Sequence, residues 1–301
     1  MKPSFLLASA ACAALLCVTA SAQTLYAVSM RTYADPSYKG VEGNLYVVDT
    51  ETAVTRLVAS LTVGGKTPIG LDGLAIHPKS GVFYGITAAT STVIPRTLVK
   101  IDPRSGAVTP IGDLGHTGSD IQFDLDGTLY MWLPATYQMA TVDLDSGLAT
   151  PRGHSFRQGV LKGGIALIGG GRALVSATGG KGTLDVVELS TGSIAPGPAL
   201  VGAAFPDLIK GLTYSPKGIV YGINTDAGLP PQANLVSIDQ RSGRVTTIGP
   251  LPNDTEALSF GPELADTKDF TAKVLEWRLP VMAALFVIAL IVLAVAMRSK
   301  A

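Results

Sequence analysis

An internal repeat limits the architecture of this chain more than any other feature. Lys210 to Gly249 reads KGLTYSPKGIVYGINTDAGLPPQANLVSIDQRSGRVTTIG, and Asp72 to Gly112 reads DGLAIHPKSGVFYGITAATSTVIPRTLVKIDPRSGAVTPIG. Both follow one frame: Gly-Leu, an apolar pair, a Pro-Lys-Gly turn, an apolar–Tyr–Gly–Ile run, a loop, then LV-x-ID-x-RSG-x-VT-x-IG. Four short apolar or alternating runs, separated by Pro, Gly, Ser and Asp turn chemistry, specify a four-stranded meander. A self-similar four-stranded unit with a period in the forties is the signature of a β-propeller blade.

The rest of the chain supplies further copies. Asp120–Gly153 is a third blade and Gly163–Gly197 a more degenerate fourth, with Asp72–Gly112 the second and Lys210–Gly249 the fifth. The first blade has only three strands: Leu25–Met30, Asn44–Asp49 and Val54–Ser60. Its missing inner strand lies at the other end, where Glu256–Phe260 and the following Gly261-Pro262 repeat the GLAI and GLTY pattern. Pairing the last strand with the first closes the ring and leaves no open sheet edge. Each third strand ends in an acid (Asp49, Asp102, Asp143, Glu188, Asp239), expected to cap the next turn by accepting backbone N–H bonds. The fold expected is all-β: a five-bladed β-propeller closed by a C-terminal strand, with one C-terminal transmembrane helix.

The two ends carry a different chemistry. Residues 1–22 combine Lys2, an apolar run from Phe5 to Val18 and Ala20-Ser21-Ala22, the pattern of a secretory signal peptide. The propeller domain is expected over 23–263 and a mixed, charged linker over 264–278. Residues 279–297, Leu279 to Met297, contain no charge and at helical rise span about 28 Å, enough for a bilayer core. A four-residue tail, 298–301, follows. Signal peptide and anchor together predict a single-pass cell-membrane protein with the propeller on the extracytoplasmic side and the tail in the cytoplasm. Both cysteines, Cys12 and Cys17, fall within 1–22, so the expected mature chain has no disulfide and no thiol chemistry. Lys plus Arg equals Asp plus Glu at 23 each, which gives no field for nucleic acid.

Isolated motifs carry little chemistry. Phe123-Asp124-Leu125-Asp126-Gly127-Thr128 matches the nucleophile motif of haloacid-dehalogenase-type phosphatases. In the repeat, however, it falls where the fifth blade has Ser215-Pro216-Lys217-Gly218, which makes it a hairpin turn. His77, His116 and His154 sit at turns without the spacing of a metal site and read as solvent-exposed loop residues. Tyr84, Tyr130 and Tyr221 share one repeat position and read as blade packing. Gly169-Gly170-Gly171 lacks the Lys-Ser/Thr of a phosphate loop. No catalytic residue, metal ligand or cofactor is implied.

One set of positions stands where propellers commonly bind. Asp72, Asp120 (after Ser119), Lys162 (before Gly163), Lys210 and Glu256 all begin inner strands, so they ring one mouth of the central channel. Three carboxylates and two lysines there are candidates for binding a polar ligand, a cation or a sugar, and paired carboxylates also suit acid/base work. The competing reading is an ion-paired, solvated rim.

The blade pattern resembles bacterial secreted β-propeller repeat proteins of the YVTN/NHL-like superfamily, families of unassigned function included. The resemblance covers about residues 25–263 and implies fold more than activity. The gluconolactonase-like branch of that superfamily has six blades and a divalent metal in the channel, and this chain departs from both. The function expected is a binding or scaffold module for a protein or polysaccharide partner. An extracytoplasmic hydrolase or lactonase at the channel mouth is the alternative.

Overall fold

The computed structural model describes residues 23–30, 43–155, 162–177, 182–205, 209–228 and 231–264. The expected signal peptide, the transmembrane helix and all of the linker but Leu264 lie outside these residues. Among the described residues no helix is long and apolar enough to cross a membrane.

The strands follow the repeat. Blade one takes β1 (Gln23–Ser29), β2 (Asn44–Val48) and β3 (Thr55–Ser60). A short hairpin, β4 (Thr62–Val63) and β5 (Thr67–Pro68), leads into blade two: β6 (Gly73–Ile76), β7 (Phe83–Ile86), β8 (Thr97–Ile101) and β9 (Ala107–Asp113). Blade three is β10 (Asp120–Phe123), β11 (Leu129–Leu133), β12 (Gln138–Val142) and β13 (Ala149–Arg152). Blade four is β14 (Ile165–Gly169), β15 (Arg172–Ala177), β16 (Thr183–Glu188) and β17 (Ile194–Ala195). Blade five is β18 (Ile209–Tyr214), β19 (Val220–Thr225), β20 (Ala233–Ile238) and β21 (Val245–Leu251). The last strand, β22 (Thr255–Pro262), then pairs with β1, and the first sheet has the order β22-β1-β2-β3. Five blades and closure by the C-terminal strand are therefore as the repeat predicts. The β4–β5 hairpin is not; β4 adds a parallel pairing to β9 at the outer edge of blade two.

Pairing between β22 and β1 runs the full length of β1, from Gln23↔Pro262 to Ser29↔Thr255. The core lies between blades. Tyr26 and Val28 of β1 pack with Leu74, Ile76 and Phe83 of blade two, while Leu25 and Ala27 pack with Tyr221 and Ile223 of blade five. Alternating side chains of one strand therefore serve two different cores, the use of strand period that a face-to-face stack of sheets requires. Tyr84 and Tyr221 are buried and Tyr130 is half-buried against the core, in keeping with blade packing.

The recurring turn has a physical reason. Asp49, Asp102, Asp143 and Asp239 each accept one or more backbone N–H bonds from the following residues, together with a Ser or Thr hydroxyl. The longer Glu188 side chain, contrary to the expectation for blade four, accepts only the Ser190 hydroxyl among the described residues. The Ser105 hydroxyl lowers Asp102, the Ser146 hydroxyl lowers Asp143 and the Ser242 backbone N–H lowers Asp239, each below the ordinary aspartate range. The glycine that ends the turn abuts the end of the preceding blade, in its last strand at Gly106 on Ser60 and Gly147 on Gly112, and just after that strand at Gly192 on Gly153 and Gly243 on Ala199. Ala53, at φ 59°, fills this place in blade one and meets Gly249 of blade five, so the same joint closes the ring. A Cβ on Gly112 would lie 1.9 Å from the Ser146 carbonyl oxygen. Gly112→Ala is thus expected to destabilise by about 1–3 kcal/mol or more through forced separation of two blades, measured as a fall in melting temperature. An unchanged melting temperature would contradict the joint.

Candidate functional site

Each inner strand (β22, β6, β10, β14, β18) starts at one mouth of the channel and ends at the other. The two mouths differ. At the upstream mouth, where these strands begin, the sequence places its five charged candidates, and four of them meet. Lys162 Nζ donates to Asp72 Oδ1 at 3.1 Å and to Glu256 Oε2 at 3.1 Å, and Lys210 Nζ donates to Glu256 Oε1 at 2.6 Å. Ion pairing was one reading of these residues, and they are paired, but the carboxylates are not solvated while the lysines keep partial contact with solvent. Asp72 and Glu256 are buried, with Glu256 only 2% exposed, because blades one, two, four and five converge over them.

Burial and charge act in opposition on these groups. Burial pushes the Glu256 carboxyl upward, but the Lys162 and Lys210 ammoniums outweigh it and hold the group below its ordinary value. Asp72 shares one lysine with Glu256, so burial prevails over Lys162, the Glu256 charge adds to it, and Asp72 is raised. Burial disfavours the Lys162 charge, yet the two carboxylates overcome this and lift its pKa above the ordinary lysine value.

Asp120, the fifth candidate, does something else. Its carboxylate accepts the backbone N–H groups of Ile121 (2.9 Å), Ile165 (3.0 Å) and Leu212 (3.1 Å), so blade three reaches blades four and five. Full burial raises its pKa well above the ordinary value, with the three N–H donors opposing. Two residues along, Gln122 Nε2 donates to the carbonyls of Leu212 (3.2 Å) and Leu258 (2.9 Å). Asp120 and Gln122 therefore occupy the channel and satisfy inner-strand backbone groups that no neighbouring strand pairs. The repeat leaves room for them. Where blade three has Asp120 the other blades have Gly73, Gly164, Gly211 and Ala257; where it has Gln122 they have Ala75, Ala166, Thr213 and Ser259. Sequence reasoning passed over Gln122, although one long polar residue among small ones at a repeat position was the available signal.

The downstream mouth is open. A cavity of about 370 Å³ lies where the inner strands end. Its walls take one residue from the same repeat position of every blade: Ile76, Phe123, Leu167, Tyr214 and Phe260. Two of the three aromatic walls are braced from behind. Phe123 meets His77 and Tyr84 edge-on, with ring centroids 5.0 and 5.4 Å apart, and Phe260 lies against Tyr221 at 5.9 Å. Gln122, Thr213 and Ser259 supply polar groups to the lining, and no lysine or arginine is among the described lining residues. Gln122 is 8% and Thr213 2% exposed. The Gln122 Oε1 and Thr213 Oγ1 atoms form no hydrogen bond among the described residues, whereas Ser259 Oγ accepts the Ile76 N–H at 3.2 Å.

The remaining motifs take structural places. Asp124-Leu125-Asp126-Gly127 is the turn between β10 and β11, closed by Asp124 N–H to Thr128 O at 2.9 Å. Leu125 at its tip is 79% exposed beside the cavity. His77 is half-buried rather than free in solvent, since its Nδ1 accepts the Lys79 and Ser80 N–H groups and its ring packs on Phe123. His116 and His154 are exposed. Among the described residues no group of three or more His, Cys, Asp or Glu side chains is placed to hold a metal ion.

No protein-family model and no curated protein matches the chain by sequence. Solved structures are similar to it at low identity. The chain is similar to one in the nidogen/laminin complex at 10% identity and a TM-score of 0.49, covering 80% of this chain and 98% of that one. TolB from Acinetobacter baumannii is similar at 13% identity and 0.42, covering 74% and 52%. Hydrazine synthase from Kuenenia stuttgartiensis is similar at 14% and 0.41, covering 68% and 59%. The chain thus spans between half and three-fifths of the length of the latter two. All three likenesses concern architecture alone, and the chain's own strand pairing makes it a five-bladed β-propeller repeat protein.

Proposed function

We propose that this protein is a binding module displayed outside the cytoplasmic membrane on a single C-terminal helix, and that its ligand enters the downstream mouth of the propeller channel. The observation that carries the proposal is the difference between the two ends. Upstream, the charges are spent on one another and on backbone groups. Downstream, a preformed cavity has braced aromatic walls and a few polar groups, the usual make-up of a ligand site. The resemblance to secreted propeller repeats, the Ala-Ser-Ala segment before Gln23 and the apolar run 279–297 support the extracytoplasmic placement. The upstream candidates Asp72, Asp120, Lys162, Lys210 and Glu256 then hold the ring and limit the depth of the cavity.

The test is capture of envelope components by the full chain and by Leu167→Trp, whose larger ring fills the cavity from the wall of blade four. Capture is expected to fall at least tenfold in the variant at an unchanged melting temperature. Equal capture by a folded Leu167→Trp protein would place the function elsewhere.

A further inference from the structure

We infer that the downstream cavity takes a neutral pyranose sugar residue, free or at the end of a glycan. The inference deepens the binding reading above and rests on it. It starts from polar groups that face the cavity and are not used by the fold. The Nε2 of Gln122 is used by the Leu212 and Leu258 carbonyls, while Thr213 Oγ1 and Gln122 Oε1 make no hydrogen bond among the described residues. Both residues line the cavity, and Ser259 beside them has used its oxygen as an acceptor, which leaves its hydroxyl proton to give. Neither atom is sealed among the buried side-chain atoms that lack a partner; both open onto the cavity, where a ligand can replace water as their partner.

The set is selective by chemistry. An apolar ligand would cover a carbonyl and two hydroxyls without pairing them, which is unfavourable. An anion finds no lysine or arginine among the described lining residues and meets the Asp124 carboxylate at the rim. A neutral polyol answers each group: its hydroxyls donate to Gln122 Oε1 and accept from Thr213 and Ser259. The C–H faces of its ring fit the apolar walls, where Phe123 and Phe260 are already fixed by His77, Tyr84 and Tyr221. Rigid walls reduce the ordering cost of binding. At about 370 Å³ the cavity lies at the small end of the range for ligand pockets, roughly 300–1,000 Å³. That size suits one or two rings rather than an enclosed chain.

The experiment uses the full chain in a detergent without a sugar headgroup, since such a headgroup would compete. The probes are the methyl glycosides of glucose, galactose, mannose and N-acetylglucosamine and oligosaccharides ending in each, titrated by calorimetry. At least one is expected to bind the wild type. Thr213→Val keeps the side-chain shape and removes a hydroxyl with no partner in the fold, so it should leave the melting temperature unchanged or higher. It should also weaken sugar binding about tenfold. Tighter binding of the oligosaccharide than of its methyl glycoside identifies a glycan end; equal binding identifies a free sugar. Absence of binding by every probe, or binding that Thr213→Val leaves intact, overturns the assignment. If no sugar binds while Leu167→Trp still abolishes envelope capture, the binding site stands and only the ligand class fails.

Discussion

A chain of residues 23–253, which ends before β22, is expected to lose cooperative melting and to aggregate, whereas residues 23–264 melt as one unit. Without β22, β1 loses its partner along its whole length, from Gln23 to Ser29, and blade one loses the buried Ala257 and Leu258. The Tyr26 hydroxyl also loses its acceptor, the Pro262 carbonyl at 2.9 Å. Truncating one buried leucine to alanine typically costs about 2–5 kcal/mol. Losing a whole inner strand therefore approaches the total stability of a domain, roughly 5–15 kcal/mol. The exposed β1 edge is then a template for association. Differential scanning calorimetry of both chains decides the matter: equal, cooperative transitions would mean that the ring does not depend on its closing strand.

Glu256→Ala should be the most damaging single substitution at the upstream mouth. It removes the carboxylate that Lys210 pairs with and one of the two that Lys162 pairs with, in a site where the acid itself is 2% exposed. Breaking a buried pair by removing one partner costs about 3–5 kcal/mol, because an uncompensated charge stays behind. For a domain of this size that lowers the melting temperature by roughly 10 °C. Glu256→Gln should cost less and should reveal the pH dependence. The folded-state pKa of Glu256 is depressed, so its contribution is fully present above the ordinary value of 4.5 and is lost as pH falls through the lower folded value. The stability difference between wild type and Glu256→Gln should therefore be constant at neutral pH and narrow below pH 4.5. Asp72, with its raised pKa, works in the opposite sense, which makes the difference between proteins more informative than the acid limb of either one. A difference that widens as the pH falls would contradict the paired, buried cluster.

The architecture was legible because a repeat states the same constraint several times. Degenerate blades could be aligned on the acid-capped turn, and the orphan strand at Glu256–Phe260 matched a gap at the opposite end of the chain. The IG and turn glycines were visible as pattern only. Their cause, contact of Gly112 with Ser146 or of Gly249 with Thr52, lies between blades and has no local signal. Convergence of Asp72, Lys162, Lys210 and Glu256 on one mouth followed from their places in the repeat. Their burial did not, since it depends on how closely five blades meet around the axis. Asp120 and Gln122 show the difference most clearly. Both interrupt the repeat with a long polar side chain, and only the assembled channel shows that each bonds to the backbone of other blades. The downstream cavity left a trace as well, one bulky residue per blade before the first turn, but strand alternation gives that position to the core and hides its second role.

Light-driven cross-linking in intact envelopes compares the two mouths most directly. A benzophenone side chain at Leu125 stands at the rim of the downstream cavity, where the native residue is 79% exposed. The same side chain at Val93, 40% exposed in the loop between β7 and β8, stands on the upstream side. The account predicts an adduct with an envelope component from position 125, suppressed by Leu167→Trp, and none from position 93. An adduct formed at 93 and not at 125 would contradict it and return the binding site to the charged mouth.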